Sequence, residues 1–180
     1  EKNITTKKDI RLIIKEELSV MYLKESDRKF FNDASSVFVE KTKVDLPEDF
    51  LKNWLKSNVK KEILESDFER EYSNYVKYLS WQLIENKICQ EYDIKVTNEK
   101  LKDFTKSNIL QQMKNYGNVN MGEKEIDGMV ANVLKNEQES KKMMNELIVI
   151  ELVQYFKSKM KINRKTVTSN EFIKLANNQK

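Results

Sequence analysis

The chain has 180 residues and a net charge of +4, with 34% charged and 39% hydrophobic residues. Only three glycines and one proline are present, which disfavours hairpins and barrels and favours long amphipathic helices. Histidine is absent and cysteine occurs once, so the commonest general base and any internal disulfide are excluded. No apolar run reaches the roughly 18 to 20 residues that cross a bilayer. We therefore predict an all-α protein without a membrane partner.

The mild basic charge does not indicate a nucleic-acid binder, which would carry a basic stripe. The densest cationic tract, Lys157 to Lys165, follows a predicted helix end, where cations favour the negative end of the helix dipole. Phosphate contact by this tract is the alternative. We favour a solvated face and predict no direct nucleic-acid partner.

The first predicted helix extends from Thr6 to Lys43 and carries two apolar stripes at helical spacing. The stripes consist of Ile10, Ile14, Leu18 and Met21, and of Phe30, Ala34, Val37 and Phe38. Pro47 should stop this helix before Leu46, because proline pushes the preceding residue out of the α region. Glu48 then begins a second helix, which fades near Lys61.

Two further helices are predicted in the central part of the chain. Ser66 and Glu69 fit a capping box that opens a long helix to about Tyr92. Thr97 is a good N-cap for a helix through Tyr116. Because its apolar positions are sparse, we expect this fourth helix to be more exposed than the others.

The last part of the chain begins with a glycine-containing loop, residues 116–122. A helix over Glu123–Lys135 follows, and then a hydrophobic helix from Ser140 to about Met160. Leu147 to Ile150 could be a buried strand on residue type, but the length of the segment favours a helix. Thr168 and Glu171 form a second capping box, which opens a short terminal helix.

The residues needed for catalysis do not occur together in the sequence. Cys89 has no histidine to activate it, and we interpret it as a small buried side chain. The three glycines lack the spacing of a phosphate-binding loop. We therefore predict no catalytic residues, no cofactor and no metal site.

Methionine is the more suggestive residue type, because five of the seven fall between Met113 and Met144. Flexible methionines recur on surfaces that bind varied partners. An ordinary core is the alternative, and we favour it for Met143 and Met144. The candidate polypeptide-binding residues are Phe104, Met113, Tyr116, Met121 and Met129.

Several segments, in this order, resemble the C-terminal domain of bacterial trigger factor. They are Asp9 to Arg11, Val39 to Leu51, Leu79 to Ile84, Asn86 to Ile88, Ile94 to Thr97, Glu146 to Phe156, and Thr168 to Leu175. The resemblance implies an ATP-independent, cytoplasmic chaperone that binds unfolded or nascent polypeptides. It also implies an elongated all-helical fold with a body and two projecting arms.

On this template, residues 1–46 form a linking helix, 47–96 one arm, 97–137 the second arm, and 138–180 the return to the body. The family's ribosome-binding and peptidyl-prolyl isomerase domains are not in this sequence. Ribosome contact would therefore require a missing N-terminal domain, and no isomerase activity is expected of these residues. Because residue 1 is glutamate, we expect the segment to belong to a longer protein.

Two other interpretations of the function stay open. A helical scaffold with one defined protein partner has a similar composition. A periplasmic holdase of related architecture also fits, if an export signal lies upstream. A homodimer is a further assembly that the sequence allows.

Overall fold

In a computed structural model of the chain, residues 6–58, 65–115 and 121–177 are described. These residues form seven helices and no strand. The helices are α1 (Lys7–Lys41), α2 (Glu48–Asn58), α3 (Glu65–Glu91), α4 (Asn98–Asn115), α5 (Glu123–Lys135), α6 (Glu137–Lys159) and α7 (Ser169–Asn177). The prediction of an all-α fold is confirmed, and Leu147 to Ile150 lie in α6 rather than in a strand.

Two compact units divide the chain: Glu1–Asn86 with Asn163–Lys180, and Lys87–Ile162. The division into a linking helix, two arms and a return segment stays a prediction.

Most helix ends in both units follow local sequence signals. The Thr6 and Asp9 side chains form a capping box at the start of α1. The Thr97 hydroxyl accepts from the Lys100 amide at 3.2 Å, which confirms its predicted capping role for α4. Thr168 donates its amide to the Glu171 carboxylate at 2.8 Å, so the second predicted capping box is also confirmed. These bonds satisfy amides that the first helical turn leaves unpaired.

Two predicted helix starts are wrong. Ser66 already lies within α3, which is described from Glu65, whereas an N-cap needs extended backbone outside the helix. The α6 helix begins at Glu137, not Ser140, because the Asn136 side chain accepts from the amides of Gln138 and Glu139. The predicted ends of α2, near Lys61, and of α4, at Tyr116, lie outside the described residues.

In the first unit, α2 packs on α3 just after Pro47. Leu51, Phe68 and Tyr72 form the core of this contact, with Leu46, Leu55, Tyr75, Val76 and Leu79 around it. Trp54 stacks on Tyr75 with ring centroids 5.6 Å apart. Phe50, by contrast, is 64% exposed. The Pro47 corner therefore positions Leu51 and Trp54 on α3 and leaves Phe50 at the surface.

The long α1 helix contacts α3 and α7 through aromatic rings. Phe31 meets Trp81 of α3 edge to face at 5.4 Å, and Tyr22 meets Phe172 of α7 in the same geometry at 5.8 Å. Trp81 also hydrogen-bonds the Glu85 carboxylate one turn further along α3. Despite these contacts, α1 has no buried residue over its whole length.

In the second unit, α4, α5 and α6 pack on one another. Buried side chains at i, i+4 spacing supply the contact faces of α4 and α5. They are Leu101, Thr105 and Ile109 on α4, and Ile126 and Val130 on α5. The α6 helix contributes Leu147, Leu152, Val153 and Phe156. The expectation that α4 is the more exposed helix is therefore wrong, because α1 is richer in apolar residues and yet buries none.

Candidate polypeptide-binding surface

The sequence-predicted binding residues that the structure describes belong to the second unit, on or directly before α4 and α5. Phe104, Met113 and Met121 are half-buried, and Met129 is 38% exposed. Tyr116 lies outside the described residues. As binding residues, these five stay a prediction.

Phe104 lies on the face of α4 that turns toward α6. Lys100 and Asn108, one turn to either side of it, both contact α6. The Lys100 ammonium pairs with Glu151 at 2.7 Å, and Asn108 donates to the Met143 sulfur at 3.5 Å. Phe104 therefore has a position suited to holding α4 and α6 together.

Met113 lies one turn beyond Ile109 and continues the buried row of α4 toward the end of the helix. Its side chain is half-buried. Of the described candidates, Met129 is the one with the largest exposed fraction. It lies beside the buried positions Ile126 and Val130 on α5.

A charged cluster fixes the start of α5 against α4. The Lys106 ammonium lies 3.0 Å from Asp127 and 3.4 Å from Glu123. The hydrogen bond to Asp127, with further contributions from both carboxylates, raises the pKa of Lys106. The Gly122 amide donates to Glu125 at 3.0 Å and completes the first turn. Met121 therefore directly precedes the start of α5, which these interactions stabilise.

A polar cavity of about 310 Å³ opens elsewhere in the second unit, beside Tyr155. Its lining includes Asp93, Lys95 and the Lys100–Glu151 ion pair. The Tyr155 ring lies 4.7 Å from that of Tyr92, and burial, followed by a hydrogen bond with Tyr92, raises the pKa of Tyr155. This mixed-charge lining differs from the mostly apolar cleft that binds drug-sized ligands.

The sequence analysis missed most of the exposed apolar side chains. The largest group is on the first half of α1, where Leu12, Val20 and Leu23 are each more than half exposed. Phe50 on α2 and Tyr78 on α3 are also more than half exposed. Period and residue type alone do not separate such residues from a core stripe.

Two further observations concern possible ligands and membranes. In the described part of the chain, no three His, Cys, Asp or Glu side chains are grouped so that they could hold a metal ion. Within the same residues, no helix is both long enough and apolar enough to span a bilayer.

The seven helices of the described residues define an all-α protein. Residues 26–176 match the family model described as "Probable trigger factor, C-terminal domain". The chain belongs to this family, and membership supports a chaperone-type role. Neither the curated proteins nor the solved structures gave a match.

Proposed function

We propose that this chain is an ATP-independent chaperone domain that holds unfolded or nascent polypeptides through exposed apolar side chains. The family match over residues 26–176 is the observation that carries the proposal. The proposal places the protein in the bacterial cytoplasm. Ribosome contact would be made by a domain outside these residues, and we assign no catalytic activity to them.

The exposed apolar side chains support weak binding of many sequences. Met129, Met144 and Ile150 in the second unit are 37–40% exposed, and Phe50 in the first unit is more so. Charged residues between them, 34% of the chain, would keep such surfaces from aggregating. Methionine adapts to varied shapes because its side chain is unbranched and flexible.

The expected affinity is low enough for release without ATP. A client that covers roughly 300 to 600 Å² of apolar surface gains about 7 to 15 kcal/mol at 25 cal/mol per Å². Loss of translational freedom and ordering of the client offset most of that gain, so a micromolar Kd is expected.

Light scattering of an aggregating, chemically unfolded test protein measures the proposed activity. We expect the chain to slow aggregation at a near-stoichiometric ratio, with several unrelated test proteins. No effect at several-fold excess would exclude holding of generic unfolded chains. Saturable binding to one folded partner, without any effect on aggregation, would support the scaffold interpretation instead.

A further inference from the structure

The methionines of the chain divide into an exposed set and a half-buried set. The exposed set, with fractions of 36–46%, consists of Met21, Met129, Met144 and Met160. The half-buried set consists of Met113, Met121 and Met143. A thioether is oxidised to a sulfoxide by peroxides, and its contact with solvent decides how readily the oxidant reaches it. The exposed set should therefore react first.

Met143 and Met144 are neighbours on α6 whose surroundings differ. The sulfur of Met143 accepts a hydrogen bond from the Asn108 side chain of α4 at 3.5 Å. Met144 lies about 100° further around the helix and is 37% exposed. Because packing against α4 shields only the first of these two sulfurs, Met144 should be the more reactive one.

Met129 is the exposed methionine of α5. It lies beside the buried side chains of Ile126 and Val130 and is itself 38% exposed. Met129 and Met144 lie seven residues before and eight residues after Asn136, which is the N-cap of α6. Since α5 and α6 pack on each other, both exposed thioethers belong to one pair of helices in the second unit.

Each of these two methionines borders a half-buried aliphatic side chain one turn further along its helix. Val133 follows Met129 and Ile148 follows Met144, in both cases at i, i+4 spacing. The methionine therefore extends the apolar surface outward from the contact between the helices. A client that covers either position buries a thioether together with its aliphatic neighbour.

Oxidation changes the polarity of such a surface. A lone pair of the thioether sulfur attacks one oxygen of hydrogen peroxide, the O–O bond breaks, and a sulfoxide and water form. The sulfur loses two electrons and the peroxide gains them. The sulfoxide oxygen accepts hydrogen bonds from water, so covering it with an apolar client costs free energy. Methionine sulfoxide reductases reverse the change: a dithiol supplies two electrons and becomes a disulfide, and the oxygen leaves as water.

We propose that Met129 and Met144 form a reversible oxidation site, at which peroxide converts both thioethers to sulfoxides and thereby weakens client holding while the helices stay folded. The inference rests on the proposed function, because its readout is client holding. The half-buried methionines stay reduced at this stage, since helix packing shields them.

Timed exposure of the 180-residue chain to hydrogen peroxide, followed by tandem mass spectrometry, measures the order of oxidation. We expect Met129 and Met144 each to gain an oxygen at least about threefold faster than Met143. Helical circular dichroism should stay unchanged while only the exposed methionines are oxidised. Faster oxidation of Met143 than of Met144, or loss of helix before Met129 and Met144 react, overturns the proposal.

Light scattering with a chemically unfolded test protein then compares the reduced and the oxidised chain. Each oxidised site should weaken holding about threefold to tenfold, since about 30 to 60 Å² of apolar contact is lost at 25 cal/mol per Å². Leucine is not attacked by peroxide, so Met129→Leu with Met144→Leu should hold clients as well after treatment as in its own untreated form. The matched control, Met21→Leu with Met160→Leu, removes two other exposed methionines and should lose holding on oxidation as the parent does.

Recovery of holding distinguishes methionine oxidation from oxidation of Cys89. Methionine sulfoxide reductases A and B with dithiothreitol should restore it. Dithiothreitol alone reduces disulfides and sulfenic acids but not sulfoxides, and should not restore it. Full holding by the oxidised parent, or an equal loss in the Met129→Leu and Met144→Leu double variant, overturns this inference and leaves the proposed function intact. A reduced parent that does not slow aggregation overturns both.

Discussion

The ammonium group of Lys52 on α2 lies 5.0 Å from the centre of the Tyr72 ring on α3. The same ring stacks with Phe68 at a centroid distance of 6.3 Å. The ring thus contributes packing and a cation–π contact to the α2–α3 core. Among the described side chains, however, its hydroxyl is buried without a hydrogen-bond partner. The ring of Tyr72 therefore stabilises the folded protein, whereas its buried hydroxyl group destabilises it.

Removing that hydroxyl should stabilise the protein. We expect Tyr72→Phe to raise the free energy of unfolding by about 1 kcal/mol, because a buried unpaired polar group costs about 1 to 3 kcal/mol. Urea denaturation measures the change. Tyr78→Phe is the control, since the Tyr78 hydroxyl is bonded to Gln82 at 2.6 Å and its residue is 57% exposed. A destabilised Tyr72→Phe variant would show that the hydroxyl has a partner in solution.

Glu85 should make stability depend on pH. Burial raises the pKa of Glu85 above 4.5, although its hydrogen bond with Trp81 opposes the shift. A carboxyl whose pKa is raised on folding opposes folding once it is ionised, and this penalty disappears as the pH falls through the folded pKa. Glu85→Gln should therefore raise Tm by about 1–3 °C at pH 7.

The difference in Tm between Glu85→Gln and the parent should vanish when the pH falls below 4.5, the pKa that the Glu85 carboxyl has in the unfolded chain. Thermal melts between pH 3.5 and 7.5 follow it, with the exposed Glu146→Gln as control. A gain in Tm that is the same at every pH would mean that ionisation of Glu85 is not its cause.

Gly128 lies in the middle of α5 and has free space around it. A Cβ atom built there meets nothing within 4 Å. Gly128→Ala should therefore raise the free energy of unfolding by about 0.5–1 kcal/mol through the better helix propensity of alanine. Chemical denaturation measures it. Gly122→Ala is the contrast, because alanine is a poor N-cap and no gain is expected there.

Substitutions at Phe104 and at Met129 should distinguish a residue that stabilises the fold from a residue that binds clients. Phe104→Gln should lower the free energy of unfolding by about 2 kcal/mol, since half-buried packing toward α6 is lost. Met129→Gln should leave stability within about 0.5 kcal/mol, because glutamine and methionine have similar helix propensity. The aggregation assay should then show weaker holding for Met129→Gln. Full holding by this variant would remove Met129 from the proposed binding residues.

Signals that act within one helical turn predicted the fold well. The bounds of α5, the caps at Thr97 and Thr168, and the corner at Pro47 all depend on backbone geometry close to the residue concerned. Ser66 is one exception, because the same spacing of serine and glutamate also occurs inside a helix, and Ser140 is another, because the N-cap of α6 is Asn136. Only the residues that precede the serine decide whether it begins a helix or lies inside one.

Burial could not be predicted in the same way. The apolar row on α1 and the one on α4 follow the same periodicity, yet Ile14 is 48% exposed and Leu101 is 5% exposed. The difference arises from which helices pack against each row, and spacing along one helix does not contain that information. The same limit applies to the binding candidates. The position of Phe104 on the α6 side of α4 follows from the contacts that Lys100 and Asn108 make with α6, and the sequence does not show these contacts.

The unburied start of α1 has a consequence for hydrogen exchange. No residue of α1 is buried, and most helical stability in proteins comes from tertiary packing rather than from helix propensity. The packing of Tyr22 on Phe172, the capping box at Thr6 and the helix's own backbone bonds contribute to its stability. We therefore expect its amides to exchange through local unfolding, long before those of α6 around Leu152, which is fully buried. A partner that covers residues 7–23 would therefore slow the exchange of their amides.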